Sequence, residues 1–142
     1  PPALSGMHIG VHYVEELPTP ANEEFVARFR KMFPDVPYIG EQTQNTYVGV
    51  YLYAQAVEKA GTTDIPKVIE ALESGLSFDA PEGKVYLDPK THHLVRDIRI
   101  VVVDDNHELH FPETYPEVWP DWLTKEKGVD LTKKAESIQY EP

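Results

Sequence analysis

The chain has 142 residues, enough for one domain with a core of its own, and its 41% hydrophobic content is that of a globular protein. Its net charge of -11 argues against nucleic-acid binding, which needs clustered Lys and Arg, and opposes docking on an anionic membrane. With no cysteine the chain cannot be a disulfide scaffold, a thiol enzyme or a zinc-thiolate protein, and the redox compartment stays open.

The opening Pro1-Pro2-Ala3 has neither an initiating methionine nor leader character, so the sequence reads as a mature chain or an excised piece. Met7 to Val14 alternates in the manner of a strand, with Gly10 inside it marking a bulge or a close backbone approach. Thr19 is placed to cap a helix that Pro20 begins, and Phe25, Val26, Phe29, Met32 and Phe33 give that helix one apolar stripe, ended by Pro34. A small strand is expected at Tyr38-Ile39.

Thr46 to Gly61, TYVGVYLYAQAVEKAG, is predicted as the helix around which the rest is organised. Only Gln55, Glu58 and Lys59 are clearly polar, so it is expected to be buried on nearly every side, and it is too short and too interrupted to cross a bilayer. Gly61 stops it in the left-handed conformation. Asp64 or Thr63 then caps a helix from Ile65 to Glu73, with Ile65, Val68, Ile69 and Leu72 as its inward stripe.

After Gly75 the period changes to that of strands: Leu76 to Phe78, Lys84 to Asp88, and Asp97 to Asp104, the last turning through Asp104-Asp105-Asn106 into His107 to Phe111 as a hairpin. Beyond Pro112 the chain is rich in proline and tryptophan and is expected to lie extended, with a short amphipathic helix near Leu131 to Ile138.

The residues that could carry chemistry are sparse. Adjacent His92-His93 cannot face one site on a strand, and His107 and His110 are expected to point to opposite faces, so no metal centre is expected. No serine sits in a nucleophile elbow, and no glycine loop for phosphate or a dinucleotide occurs, so neither an enzyme nor a cofactor is expected. The polar run Glu41-Gln42-Thr43-Gln44-Asn45 lies before the central helix, where it can act either as a cap or as the contact for a small ligand.

Three pieces in order, TPANEEFVARF, NTYVGVYLYAQAVEKAG and IPKVIEALESGLSFDAPEGKVYLDPKTHHLVRDIRI, resemble the C-terminal part of the type I periplasmic-binding family, in its urea, short-chain amide and branched-chain amino acid branch. The resemblance implies an α/β fold with two lobes, three crossovers and a ligand in the cleft. Residues 1–17 would be a second-lobe strand and a crossover, 18–94 the end of the first lobe, 95–112 the last crossover and a second-lobe hairpin, and 113–142 a tail. It implies ligand contacts at Gln42 and Gln44, which align approximately with a cleft aromatic and an acidic position in relatives and keep neither identity; Tyr13, in the crossover, is taken with them. The implied partners are a small polar ligand held by the full-length parent without chemistry, and an ABC permease, in the periplasm or outside the cell. Two other readings stay open: a cytoplasmic amide sensor of the same fold, and a ligand-free interaction module that docks through its Pro/Trp tail. A helix apolar all round with few partners also predicts self-association of the isolated chain.

Overall fold

The computed structural model describes residues 3–130. Its elements run β1 (His8–Val11), α1 (Pro20–Met32), α2 (Glu41–Ala60), α3 (Ile65–Leu72), β2 (Ser77–Ala80), β3 (Gly83–Leu87), β4 (Leu94–Val103), β5 (Leu109–Val118) and α4 (Trp122–Lys127). The α/β class and the β4–β5 hairpin are as expected. The predicted helix near Leu131 to Ile138 lies outside the described residues.

Strand β4 organises the sheet. Its first two residues pair with β3, Leu94 with Leu87 and Val95 with Tyr86, and β2 extends that side. From Arg99 onward it pairs with β1, Val11 opposite Arg99 and His8 opposite Val102, while β5 runs antiparallel along it from Arg96 to Val103. All pairings are antiparallel. The change of partner falls between Val95 and Arg99, and a register shift against β5 lies at Arg96/Ile98. β5 is longer than predicted and carries Pro112 and Pro116, which it tolerates because β4 is its only partner among the described residues.

The helix caps follow the sequence. Thr19 Oγ1 accepts from the Asn22 amide with Pro20 at the first helical position, and Asp64 does the same for Lys67. Gly61 ends α2 at φ 65°. Where the prediction differs is the long helix itself. It begins at Glu41, so the polar run forms its first turns rather than preceding it, with Gly40 as N-cap.

Nor is α2 buried on every side. Gln44, Val48, Leu52 and Ala56 make one inward stripe at spacing four, while Val50 is 61% exposed and Tyr51 and Tyr53 are exposed too. The sequence is apolar all round, but the described chain covers one face. Along that stripe Val48 and Leu52 pack on Ala80 and Val85 of β2 and β3, and Ala56 on Val68 and Ala71 of α3. α3 is likewise turned: Val68 and Ala71 face inward, and Ile65 and Ile69, expected inside, are exposed.

A third cluster, Tyr13, Val14, Leu17, Phe25 and Ile39, joins the loop after β1 to α1. β1 is shorter than predicted, and Tyr13 and Val14 leave the sheet to enter this cluster. No strand forms at Tyr38-Ile39; instead the Ile39 amide donates to Glu15 Oε2 at 2.8 Å and the Tyr38 hydroxyl to Glu16 Oε2 at 2.8 Å. Met32 and Phe33, at the end of the α1 stripe, are exposed.

Candidate functional site

The first turns of α2 meet the partner change of β4 at a buried polar cluster. Gln44 and Glu82 are 0% and 2% exposed, and Gln44 Nε2 donates to Glu82 Oε1 at 3.0 Å. Glu82 is presented by the β2–β3 turn, which Gly83 makes possible at φ 117°, a conformation that L side chains rarely adopt. Arg96 of β4 donates to Asn45 Oδ1 at 2.8 Å and lies 3.5 Å from Glu82 Oε1. Arg99 donates to the carbonyl oxygens of Glu82, at 2.8 Å, and of His12, at 3.0 Å.

Arg96 and Arg99, three apart, would face opposite sides of a regular strand; the register shift between Arg96 and Ile98 interrupts that alternation, and both reach Glu82. On the other flank the His12 ring and amide both contact Glu41 Oε1, at 2.9 and 3.1 Å. One cluster therefore ties the loop after β1, the start of α2, the β2–β3 turn and the bend of β4.

Its electrostatics are those of charge held out of water. Burial pushes the Glu82 carboxyl up to about 7, against the pull of Arg96, Gln44 and Arg99 and with a push from Asp97. Burial and then Arg96 hold His12 below the usual imidazole range, against Glu41 and Asn45. Burial also lowers Arg96, opposed by Glu82 and Glu41. Three buried polar atoms here have no partner: His12 Nε2, Gln44 Oε1 and Glu82 Oε2.

The three ligand positions expected from the sequence face different surroundings. Gln44 belongs to the cluster. Gln42 is exposed on the first turn. Tyr13 points into the α1 core, edge-on to Phe25 at 6.3 Å, with its hydroxyl buried and unpartnered and its ionisation pushed up by that burial. Sequence reasoning missed Glu82, which reads as a turn residue, and Arg96 and Arg99. The signal available for the arginines was three charged residues, Arg96, Asp97 and Arg99, inside the otherwise apolar run LVRDIRIVVV.

Elsewhere, Asp104, Glu108 and His110 bring one ligand atom each within 4.8 Å of one another. The adjacency of Asp104 and His110 was not foreseen. Asp104 is already engaged, since Oδ1 accepts the amides of Asn106 and Glu108 and Oδ2 faces His110 Nε2 at 2.8 Å, and these bonds hold its carboxyl below the usual range. The group braces the hairpin turn. Between α1 and α2 lies an open groove of about 720 Å³ lined by Phe25, Phe29, Phe33, Tyr47 and Tyr51, with Arg28 at its rim.

Comparison with known proteins identifies this architecture. The chain is 28% identical over 102 residues to the Leu/Ile/Val-binding protein homolog 6 of Brucella abortus, a match that covers 68% of this chain and 26% of that protein. It is 30% identical over 88 residues to the limonene hydroxylase of Geobacillus stearothermophilus, covering 62% of this chain and 16% of that one. Among solved structures, the solute binding protein of an ABC transporter from Rhodopseudomonas palustris BisB5, in complex with 3,4-dihydroxybenzoic acid, superposes with a TM-score of 0.74 at 28% identity, over 84% of this chain and 33% of that one. The chain thus spans a third or less of the length of these relatives. The family model described as periplasmic binding protein matches residues 1–108. The chain belongs to the periplasmic binding protein family and has part of its type I fold.

Proposed function

We propose that this chain is the C-terminal part of an ABC-transporter solute-binding protein, which holds a small organic acid without chemistry, in the periplasm, and delivers it to a permease. The observation that carries this reading is the start of α2. Gly40 gives the helix no side-chain cap, so the N–H groups of Glu41 and Gln42 stand open beside the buried cluster, at the bend where β4 changes partner, while those of Thr43 and Gln44 bond the Gly40 carbonyl. Open N–H groups and the helix dipole favour an anion. Glu41, the acid nearest that end, is occupied by His12.

A carboxylate is common to the dihydroxybenzoate in the solved relative and to the branched-chain amino acids in the relative's name; urea and short-chain amides, also implied by the resemblance, lack it. In this reading the β3 end of β4, with α1, α2 and α3, belongs to one lobe, and β1, β5 and the rest of β4 to the other. Gln42 would border the cleft, Gln44 would support it from below, and Tyr13 would serve the crossover core.

Titration calorimetry of 3,4-dihydroxybenzoate, leucine, urea and acetamide into the two-lobed protein that carries this sequence tests the reading. Heat with an acid and none with urea or acetamide is expected. Heat with urea or acetamide alone would overturn the carboxylate, and heat with none of the four would overturn solute binding of this class. The apolar residues exposed on α2 and α3 (Val50, Tyr53, Ile65 and Ile69) are where the rest of the first lobe would pack; in the isolated chain a second copy takes that place, and sedimentation is expected to give a species heavier than the monomer.

A further inference from the structure

Gln44 and Glu82 are planar groups with two polar atoms each, and only one contact between them is made. Gln44 Nε2 donates to Glu82 Oε1 at 3.0 Å, while the other atom of each group, Gln44 Oε1 and Glu82 Oε2, is buried without a partner. Two bare acceptors cannot satisfy each other. A proton on Oε2 turns the carboxylate into an acid whose O–H can donate to the Gln44 carbonyl, closing a ring of two parallel hydrogen bonds. We propose that Glu82 and Gln44 form a proton-closed acid-amide pair, and that release of the proton to solvent opens the pair and hands the Glu82 carboxylate to Arg96. The proton thereby couples the first turns of α2 to the bend of β4.

Geometry carries this in two ways. The side chains are shut away from water at 0% and 2% exposure, so an empty acceptor on each has no solvent to turn to. Arg96 stands 3.5 Å from Glu82 Oε1, well beyond the roughly 2.7–2.9 Å of a charge-assisted bond, and its short bond goes to Asn45 at 2.8 Å. That is the arrangement expected around a neutral acid rather than an ionised one.

The charges facing Glu82 set where the proton leaves. From β4, Arg96 and Arg99 favour the anion and Asp97 opposes it; from α2, the Gln44 amide favours the anion. Behind Arg96, Glu41 and His12 pair with each other, with the imidazole held low by burial. Burial outweighs the two arginines and places the Glu82 titration at about 7, so the pair opens and closes near neutrality.

The Glu82–Gln44 pair is independent of the identity of the solute, and testing it needs none. Infrared spectra of the full chain are recorded from pH 6, where carboxyls of ordinary pKa are almost wholly ionised, to pH 9 for the wild type, Glu82→Gln and Arg96→Met. The expected result is a protonated-carboxyl C=O band that is lost near neutral pH in the wild type, is absent in Glu82→Gln, and is lost at higher pH in Arg96→Met. A band that persists in Glu82→Gln, or no band in the wild type, would overturn the acid; an unmoved midpoint in Arg96→Met would overturn the hand-over. Hydrogen exchange on the same proteins reads the coupling. Protection of the Val95 to Arg99 and Gln44 to Val48 amides should step down through neutral pH in the wild type and stay level in Glu82→Gln, whose amide keeps a neutral partner for Gln44. Parallel steps in both proteins would overturn the link to the fold.

Discussion

Among the described residues are two inward-facing glutamate-arginine pairs, and they are built in opposite ways. Glu15 spends both oxygens: Oε1 accepts Arg30 Nε at 3.0 Å and Nη2 at 2.5 Å, and Oε2 accepts Nη2 at 2.7 Å and the Ile39 amide at 2.8 Å. Arg30 also donates to the Val36 and Pro37 carbonyls. Glu82 spends one oxygen, on an amide, and stands off from its arginine. A bidentate pair with every lone pair used is a strut that fixes the 34–39 connection against α1. A buried carboxylate with a spare oxygen is a place where a proton can come and go.

Breaking the strut should have the largest effect. Arg30→Ala leaves the carboxylate of Glu15, whose side chain is only 14% exposed, without its guanidinium and frees two carbonyls, and is expected to cost about 3–4 kcal/mol in urea unfolding. A cost under about 1 kcal/mol would mean the bracket is no stronger than a surface ion pair.

The Glu82 site should instead show itself through pH. Its folded carboxyl titrates at about 7, above the ordinary 4.5, so the folded state holds a proton that the unfolded chain has released. Stability from this group is therefore fully present below about 4.5 and is lost as pH rises toward 7, by on the order of 2–3 kcal/mol. His12 works in the other direction: its imidazole is depressed, so its contribution is present above 6.5 and lost as pH falls below that. Comparing urea unfolding of the wild type with Glu82→Gln at pH 5 and pH 8 cancels the histidine. The amide variant should gain on the wild type as pH rises, and a constant difference would deny the shifted titration.

How far each pair could be read from the sequence follows from the same contrast. Caps at Thr19, Asp64 and Gly61 are local, set by residues within a turn or so of each other, and were legible. The hairpin was legible because an apolar β-branched run meets a turn sequence. Glu82 finds Gln44 across 38 positions, and a carboxylate in the turn APEG looks like any solvated turn residue. The apolarity of α2 was legible, but which face the described chain covers was not. Periodicity reports which residues avoid water, and only the packing of β2, β3 and α3 selects the stripe through Val48, Leu52 and Ala56. Nor could the three proposed ligand positions be sorted, because Tyr13 is turned into the core by a strand that ends at Val11.

The two regions are not independent, since one hydroxyl touches both. Thr19 Oγ1 accepts from the Asn22 amide at the start of α1, the helix that carries Arg30, and donates to the Pro81 carbonyl at 3.0 Å in the turn that carries Glu82. Thr19→Ala should cost about 1 kcal/mol, the usual loss of a cap. If the hydroxyl only caps the helix, that cost will add to the effect of Glu82→Gln. If it also holds the turn in place, the double variant will depart from additivity by about 0.5 kcal/mol, because loosening Pro81 weakens what remains of the Gln44 contact. A double-mutant cycle at pH 5, where the acid-amide pair is closed, should show that coupling, and the same cycle at pH 8 should show less. Strict additivity at both pH values would separate strut from switch and leave Thr19 as a cap alone.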